Sequence, residues 1–132
     1  MTKIKTDIAQ NVDFESRRGD SFNVTINVKN AAGTAYDFTG YDGFMEIRGE
    51  NDSFILGYTS LTQAELTAGS YDSTYKAESV VFGSGVITLS QTASNMEFTV
   101  GTYSYDFQIK DSNNVQTWLY GRFKLNDDIT TA

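Results

Sequence analysis

The sequence predicts an all-β fold, an antiparallel β-sandwich, and three observations carry that reading. From Ser21 to Lys29 the apolar residues Phe22, Val24, Ile26 and Val28 alternate with Ser21, Asn23, Thr25, Asn27 and Lys29. That two-residue period suits a strand with one face on a core and one in water. Thr102 to Lys110 repeats it, with Tyr103, Tyr105, Phe107 and Ile109 on one face and Ser104, Asp106, Gln108 and Lys110 on the other. No helical pattern of about 10 to 15 residues separates the strands, as parallel crossovers would need.

In chain order, residues 1–12 form an extended N-terminal arm, and Arg18-Gly19-Asp20 is the turn that launches the first regular strand. The tripeptide matches a string that adhesion proteins offer to integrins. Its place just before a strand favours a turn, where Gly relaxes the backbone and Asp turns the chain into the sheet. Asn30-Ala31-Ala32-Gly33-Thr34 is a second turn, and residues 36–41 lead to a strand near Gly43 to Arg48. Residues 49–84 read as a long excursion, holding a short helix or an extended β-segment, with partner-facing tyrosines at Tyr58, Tyr71 and Tyr75. Val86 to Ser90 is a strand, Gln91 to Met96 allows one helical turn, and residues 103–125 form a hairpin turning at Asp111-Ser112-Asn113-Asn114. Trp118, Tyr120, Phe123 and Leu125 do not share one parity, which predicts a bulge at Gly121. The core candidates are Phe22, Val24, Ile26, Val28, Tyr103, Tyr105, Phe107, Ile109, Trp118 and Phe123.

At 132 residues the chain suits a single domain spanning 1–132, burying roughly two-thirds of its unfolded surface. Its 8 Tyr and 9 Phe are enough bulk to fill the space between two sheets. A net charge of −7 repels a phosphate backbone, so nucleic acid is not an expected partner. Neither a signal-peptide core nor a run of 18 apolar residues occurs, so a membrane is not expected either.

With no Cys and no His, thiolate metal sites, Cys nucleophiles and His-based triads are excluded. Carboxylate catalysis would need an acid pair about 5 to 9.5 Å apart. The local pairs are Asp42 with Glu46, Glu50 with Asp52, and Asp127 with Asp128, and none sits in a catalytic signature. The glycines form no phosphate-binding loop, and the acidic residues lack calcium-loop spacing. Asn23-Val24-Thr25 and Asn51-Asp52-Ser53 match the glycosylation acceptor pattern, the first in mid-strand. The expectation is a non-enzyme with no catalytic, cofactor or metal site.

Three segments carry a resemblance: RRGDSFNVTINVKNAAGTAYDFTGYDGFMEIR, then GVITLS, then GTYSYDFQIKDSNNVQTWLYGRFKLNDDIT. A Gly-Asp turn enters a strand; Asp37-Phe38-Thr39-Gly40-Tyr41 makes a step; Gly101 to Asp106, Gly121 and Asp128-Ile129-Thr130 close the chain. In order and spacing this is similar to small tailed-phage virion proteins with an immunoglobulin-like sandwich, including N-terminal domains of baseplate upper proteins. Residues 16–48 and 85–130 carry the match; residues 49–84 have no counterpart in it. The resemblance implies an immunoglobulin-like fold and a structural part of a bacteriophage head, neck, baseplate, tail or head fibre. It implies a multi-copy or homo-oligomeric assembly with other virion proteins, made in the host bacterial cytoplasm. A host-adhesion or carbohydrate-binding module is the alternative, with Tyr58, Tyr71 and Tyr75 presented to a glycan.

Overall fold

Alternating apolar side chains can be buried only if a second layer covers them, and the chain supplies that layer from its own later strands. A computed structural model describes residues 10–29 and 32–127. Its strands are β1 (Gln10–Asn11), β2 (Phe14–Arg17), β3 (Phe22–Asn27), β4 (Asp42–Arg48), β5 (Phe54–Thr59), β6 (Tyr75–Lys76), β7 (Val80–Gly83), β8 (Val86–Gln91), β9 (Gly101–Lys110) and β10 (Val115–Asn126). A helix, α1 (Gln63–Ala68), and 3-10 turns at Glu50–Asp52 and Ala93–Met96 complete the described elements.

The larger sheet runs β1-β10-β9-β4-β5-β6, with β2 also on β10, and the smaller runs β3-β8-β7. With β3, β8 and β7 in the positions of B, E and D, and β2, β10, β9, β4 and β5 in those of A′, G, F, C and C′, this is an immunoglobulin-like sandwich. A tyrosine corner reinforces the assignment. The Tyr103 hydroxyl, at the start of β9, donates back to the Thr99 carbonyl four residues upstream. Two residues further on, where antibody domains carry a disulfide cysteine, stands Tyr105.

Aromatic packing joins the layers where a disulfide could not. Phe22 of the smaller sheet meets Phe123 at 5.3 Å, Phe14 at 5.9 Å and Tyr58 at 6.0 Å between ring centroids, all three in the larger sheet. Phe107, Ile109 and Phe123 are fully buried, with Phe22 and Tyr105 nearly so. Val24, Ile26, Val28, Tyr103 and Trp118 pack on the same cluster but stay partly exposed.

Four sequence expectations need correction. Residues 49–84 hold the short helix allowed there, but they also supply β5 and β7, one in each sheet, and so belong to the sandwich instead of leaving it. Pairing is not purely antiparallel, because β1 and β2 run parallel to β10 and β6 runs parallel to β5. The β5 to β6 connection is long enough for such a crossover because it contains α1. The bulge lies between Thr117 and Leu119, not at Gly121, which pairs in register with Tyr105. It lets Trp118 and Leu119, adjacent in sequence, both pack on the core. Gly121 answers a different need: a Cβ there would stand 2.5 Å from the Val12 carbonyl oxygen of the crossing N-terminal segment. Of the arm, residues 1–9 lie outside the described residues, and Gln10–Asn11 pair with Leu119 and Tyr120. Asp128-Ile129-Thr130 and Asn30-Ala31 also lie outside them.

Candidate docking site

The fourth correction concerns Tyr58, whose ring is fully buried in β5. Its side chain faces the core, where the hydroxyl has only the Met96 sulfur, 3.9 Å away, as a partner. Burial pushes its ionisation well above the ordinary tyrosine range. A partner cannot reach it. Phe54 to Thr59 is an almost continuous apolar run, and that was the available signal: a strand covered on both faces need not alternate.

On the outer face, α1 covers the Phe44 end of β4, and Tyr75 packs over Gly57 and Phe54 of β5. Thr62 and Glu65 form a reciprocal capping box, the Thr62 side chain accepting from the Glu65 amide and the Glu65 carboxylate from the Thr62 amide. Thr62-x-x-Glu65 ahead of Leu66 was the legible mark of this helix. Leu66 then packs with Phe44 and Leu61 in a small second core.

Tyr71 and Tyr75 border that second core. Phe44 meets Tyr71 at 5.8 Å and Tyr75 at 5.7 Å, and Phe54 meets Tyr75 at 5.0 Å. Tyr75 is half-buried and its hydroxyl donates to Glu46; burial, then that bond, raises its ionisation. Tyr71 is the one of the three predicted contacts on the open surface, at 37% exposure, beside a cleft of about 460 Å³ that Gln63, Thr67 and Asp72 also line. The structure therefore sets Tyr58 apart and brings Tyr71 and Tyr75 together, their ring centroids 6.2 Å apart along the same cleft.

Across the outer face, strand register builds one row: Tyr120 beside Asp106, Asp106 beside Glu46, Glu46 beside Gly57, Gly57 beside Tyr75. Glu46 is satisfied by Arg48, whose Nε donates at 2.9 Å, and by Tyr75. Asp106 is half-buried, and its carboxyl is held above the usual range first by desolvation and then by Glu46, with Arg48 partly opposing. Of the carboxylate pairs read from sequence, Asp42 accepts from the Ser60 hydroxyl at 2.9 Å and Asp52 lies 3.8 Å from Arg48. No cluster of three acidic side chains able to hold a metal occurs among the described residues.

Arg18-Gly19-Asp20 is the β2 to β3 turn. Arg18 Nε donates to the Glu97 and Phe98 carbonyls, both at 3.2 Å, and the Gly19 amide donates to Met96 at 2.9 Å. Gly19 has φ +83°, which glycine adopts freely. The guanidinium is thus tied to the protein's own backbone.

That turn delivers the chain into β3, the outer strand of the smaller sheet. The Val28 amide donates to the Gly85 carbonyl at 2.8 Å, which continues the β3 to β8 register and fixes its phase. Antiparallel residues exchange hydrogen bonds alternately, so Phe22, Val24 and Ile26 bond to β8. The amides and carbonyls of Asn23, Thr25 and Asn27 point the other way, where no strand lies among the described residues. The strand has six residues and carries no charge, proline or glycine, so it lacks the usual guards against edge pairing.

No family model and no curated protein matches the chain. Solved structures resemble it in shape. CopC from Methylosinus trichosporium OB3b has TM-score 0.43 and 12% identity over 90% of this chain and 89% of that one. An uncharacterized protein from Bacillus anthracis str. Ames has TM-score 0.37 and 20% identity over 91% and 85%. The NK cell receptor Nkp44 has TM-score 0.38 and 14% identity over 92% and 100%. At these identities and scores nothing about binding carries over.

Proposed function

We propose that this chain is a non-enzymatic structural or accessory component of a tailed-phage virion, working by docking to other protein. The open edge of β3 carries the docking part of the reading. An unpaired row of amides and carbonyls on a rigid sheet is a template for strand addition, in which main-chain bonds supply affinity and flanking side chains supply register. The virion part rests on the ordered sequence resemblance at residues 16–48 and 85–130. In the fold those segments become β3, β4, β8, β9 and β10, the strands around the open edge and the core it borders.

The glycan-binding alternative keeps only Tyr71 and Tyr75 of its three tyrosines. It required Tyr58, Tyr71 and Tyr75 on one surface, and Tyr58 belongs to the core. Mass spectrometry of purified particles from the genome encoding this chain tests the virion reading, and peptides of the chain in stoichiometric amount are the expected result. Particles that lack it, together with specific binding of the isolated protein on a glycan array, would replace docking with adhesion.

A further inference from the structure

We propose that the occupant of the β3 edge is β3 of a second copy of this chain, related by a two-fold axis through Thr25. The inference rests on reading β3 as the docking edge and names its partner. The backbone phase allows only odd-numbered residues to bond outward, so the axis of a symmetric antiparallel pair falls on a residue, and of the possible axes only Thr25 pairs all three outward-bonding residues of β3, Asn23, Thr25 and Asn27, with one another. Centring on Thr25 uses the whole strand. Asn23 then exchanges both main-chain bonds with Asn27 of the other copy, and Thr25 exchanges them with Thr25.

Side-chain chemistry matches in that register. On the solvent face the neighbours are Thr beside Thr and Asn beside Asn, pairs that hydrogen-bond across strands and oppose no like charges. On the inner face Val24 lies beside Ile26 of the other copy, apolar against apolar, and both are only partly covered in the single chain. At each end the two-fold brings exposed Asp20, which precedes the strand, to the end where exposed Lys29 follows it, opposite charges together. A parallel pair would gather like charges at each end. The product is a continuous six-stranded sheet, β7-β8-β3-β3-β8-β7, closed by symmetry.

Because the chain has no cysteine, single cysteines report the register cleanly. Directly opposed residues in such a pair have Cα atoms about 5.5 Å apart, within disulfide reach, whereas residues offset by four positions do not. Under mild oxidation Thr25→Cys should give a disulfide dimer in full, Asn23→Cys should not, and the double variant Asn23→Cys/Asn27→Cys should. In sedimentation velocity the unmodified protein should run as a dimer, and Thr25→Lys, which opposes two ammonium groups at the axis, should weaken dimerisation about tenfold or more. Circular dichroism of each variant confirms folding. A monomer at all accessible concentrations, equal cross-linking of Asn23→Cys and Thr25→Cys, or a Thr25→Lys dimer as tight as the parent would overturn the proposal. If instead only another virion protein captures the edge, self-pairing fails while the particle assay above still finds the chain in virions.

Discussion

Strands β3 and β8 are paired residue for residue, and both alternate, yet their inward side chains meet different ends. Ile87 and Leu89 of β8 are essentially inaccessible, at 1% and 0% exposure, while their register partners Ile26 and Val24 remain partly exposed. The pattern of the sequence is the same in both strands. What differs is the flank: β8 has β7 on its far side, and β3 has nothing there among the described residues. Alternation decides which side chains face the core, and lateral neighbours decide how far water is kept from them.

The sheet's other edges underline the contrast. β7 and β2 have four residues, β6 and β1 only two. Short edge strands offer little template for pairing, which leaves β3 as the edge best built for it.

The sharpest test of this comparison is truncation at paired positions. Leu89→Ala removes a fully buried side chain and should cost about 3 kcal/mol or more in urea unfolding. Val24→Ala, its register partner, should cost about 1 kcal/mol in dilute monomer, because part of the lost surface was already wet. If the two costs are equal at low concentration, the edge is covered after all. If β3 pairs with itself, the Val24→Ala cost should grow as protein concentration rises.

A smaller effect is expected at the centre of the larger sheet, where Asp106 stands opposite Glu46. Its carboxyl is raised in the folded state, so the folded protein binds that proton more tightly than the unfolded chain does. Stability from this group is fully present below the unfolded value of 3.8 and is lost as pH rises through the higher folded value. Asp106→Asn should therefore stabilise the protein at neutral pH, by roughly 0.5 to 1 kcal/mol. Thermal melts across pH should show the gain vanish in acid. A gain that persists there would point to packing, not charge.

The last comparison separates two tyrosines that look alike in sequence, and its surface member gives the smallest effect. Tyr71→Ala should change stability by no more than about 0.5 kcal/mol, as a surface change does. Tyr58→Phe should also be mild, within about 1 kcal/mol, because the buried hydroxyl gives up only a weak bond to sulfur. Tyr58→Ala is the informative contrast and should cost about 3 to 5 kcal/mol. A mild Tyr58→Ala melt would return that ring to the surface.

Much of the frame was legible from residues alone. The runs at Phe22 to Val28 and Tyr103 to Ile109, the 110 to 115 turn and the turn role of Arg18-Gly19-Asp20 all rest on local periodicity or backbone preference, which need no distant partner. The site was legible only in part. Tyr71 could be placed on the surface, but Tyr58 could not be placed in the core, since its burial depends on Phe22 and Met96 arriving from elsewhere in the chain.

The amino-acid order by itself determined that alternating strands would form and which of their faces would be apolar, because side-chain period and turn chemistry act over a few residues. Only the tertiary structure decided that residues 49–84 would contribute strands to both sheets, that the bulge would fall at Trp118, and that β3 would have no neighbour on its far side among the described residues. Those outcomes depend on which strands lie side by side, and that is a contest among long-range pairings settled by whole-chain packing.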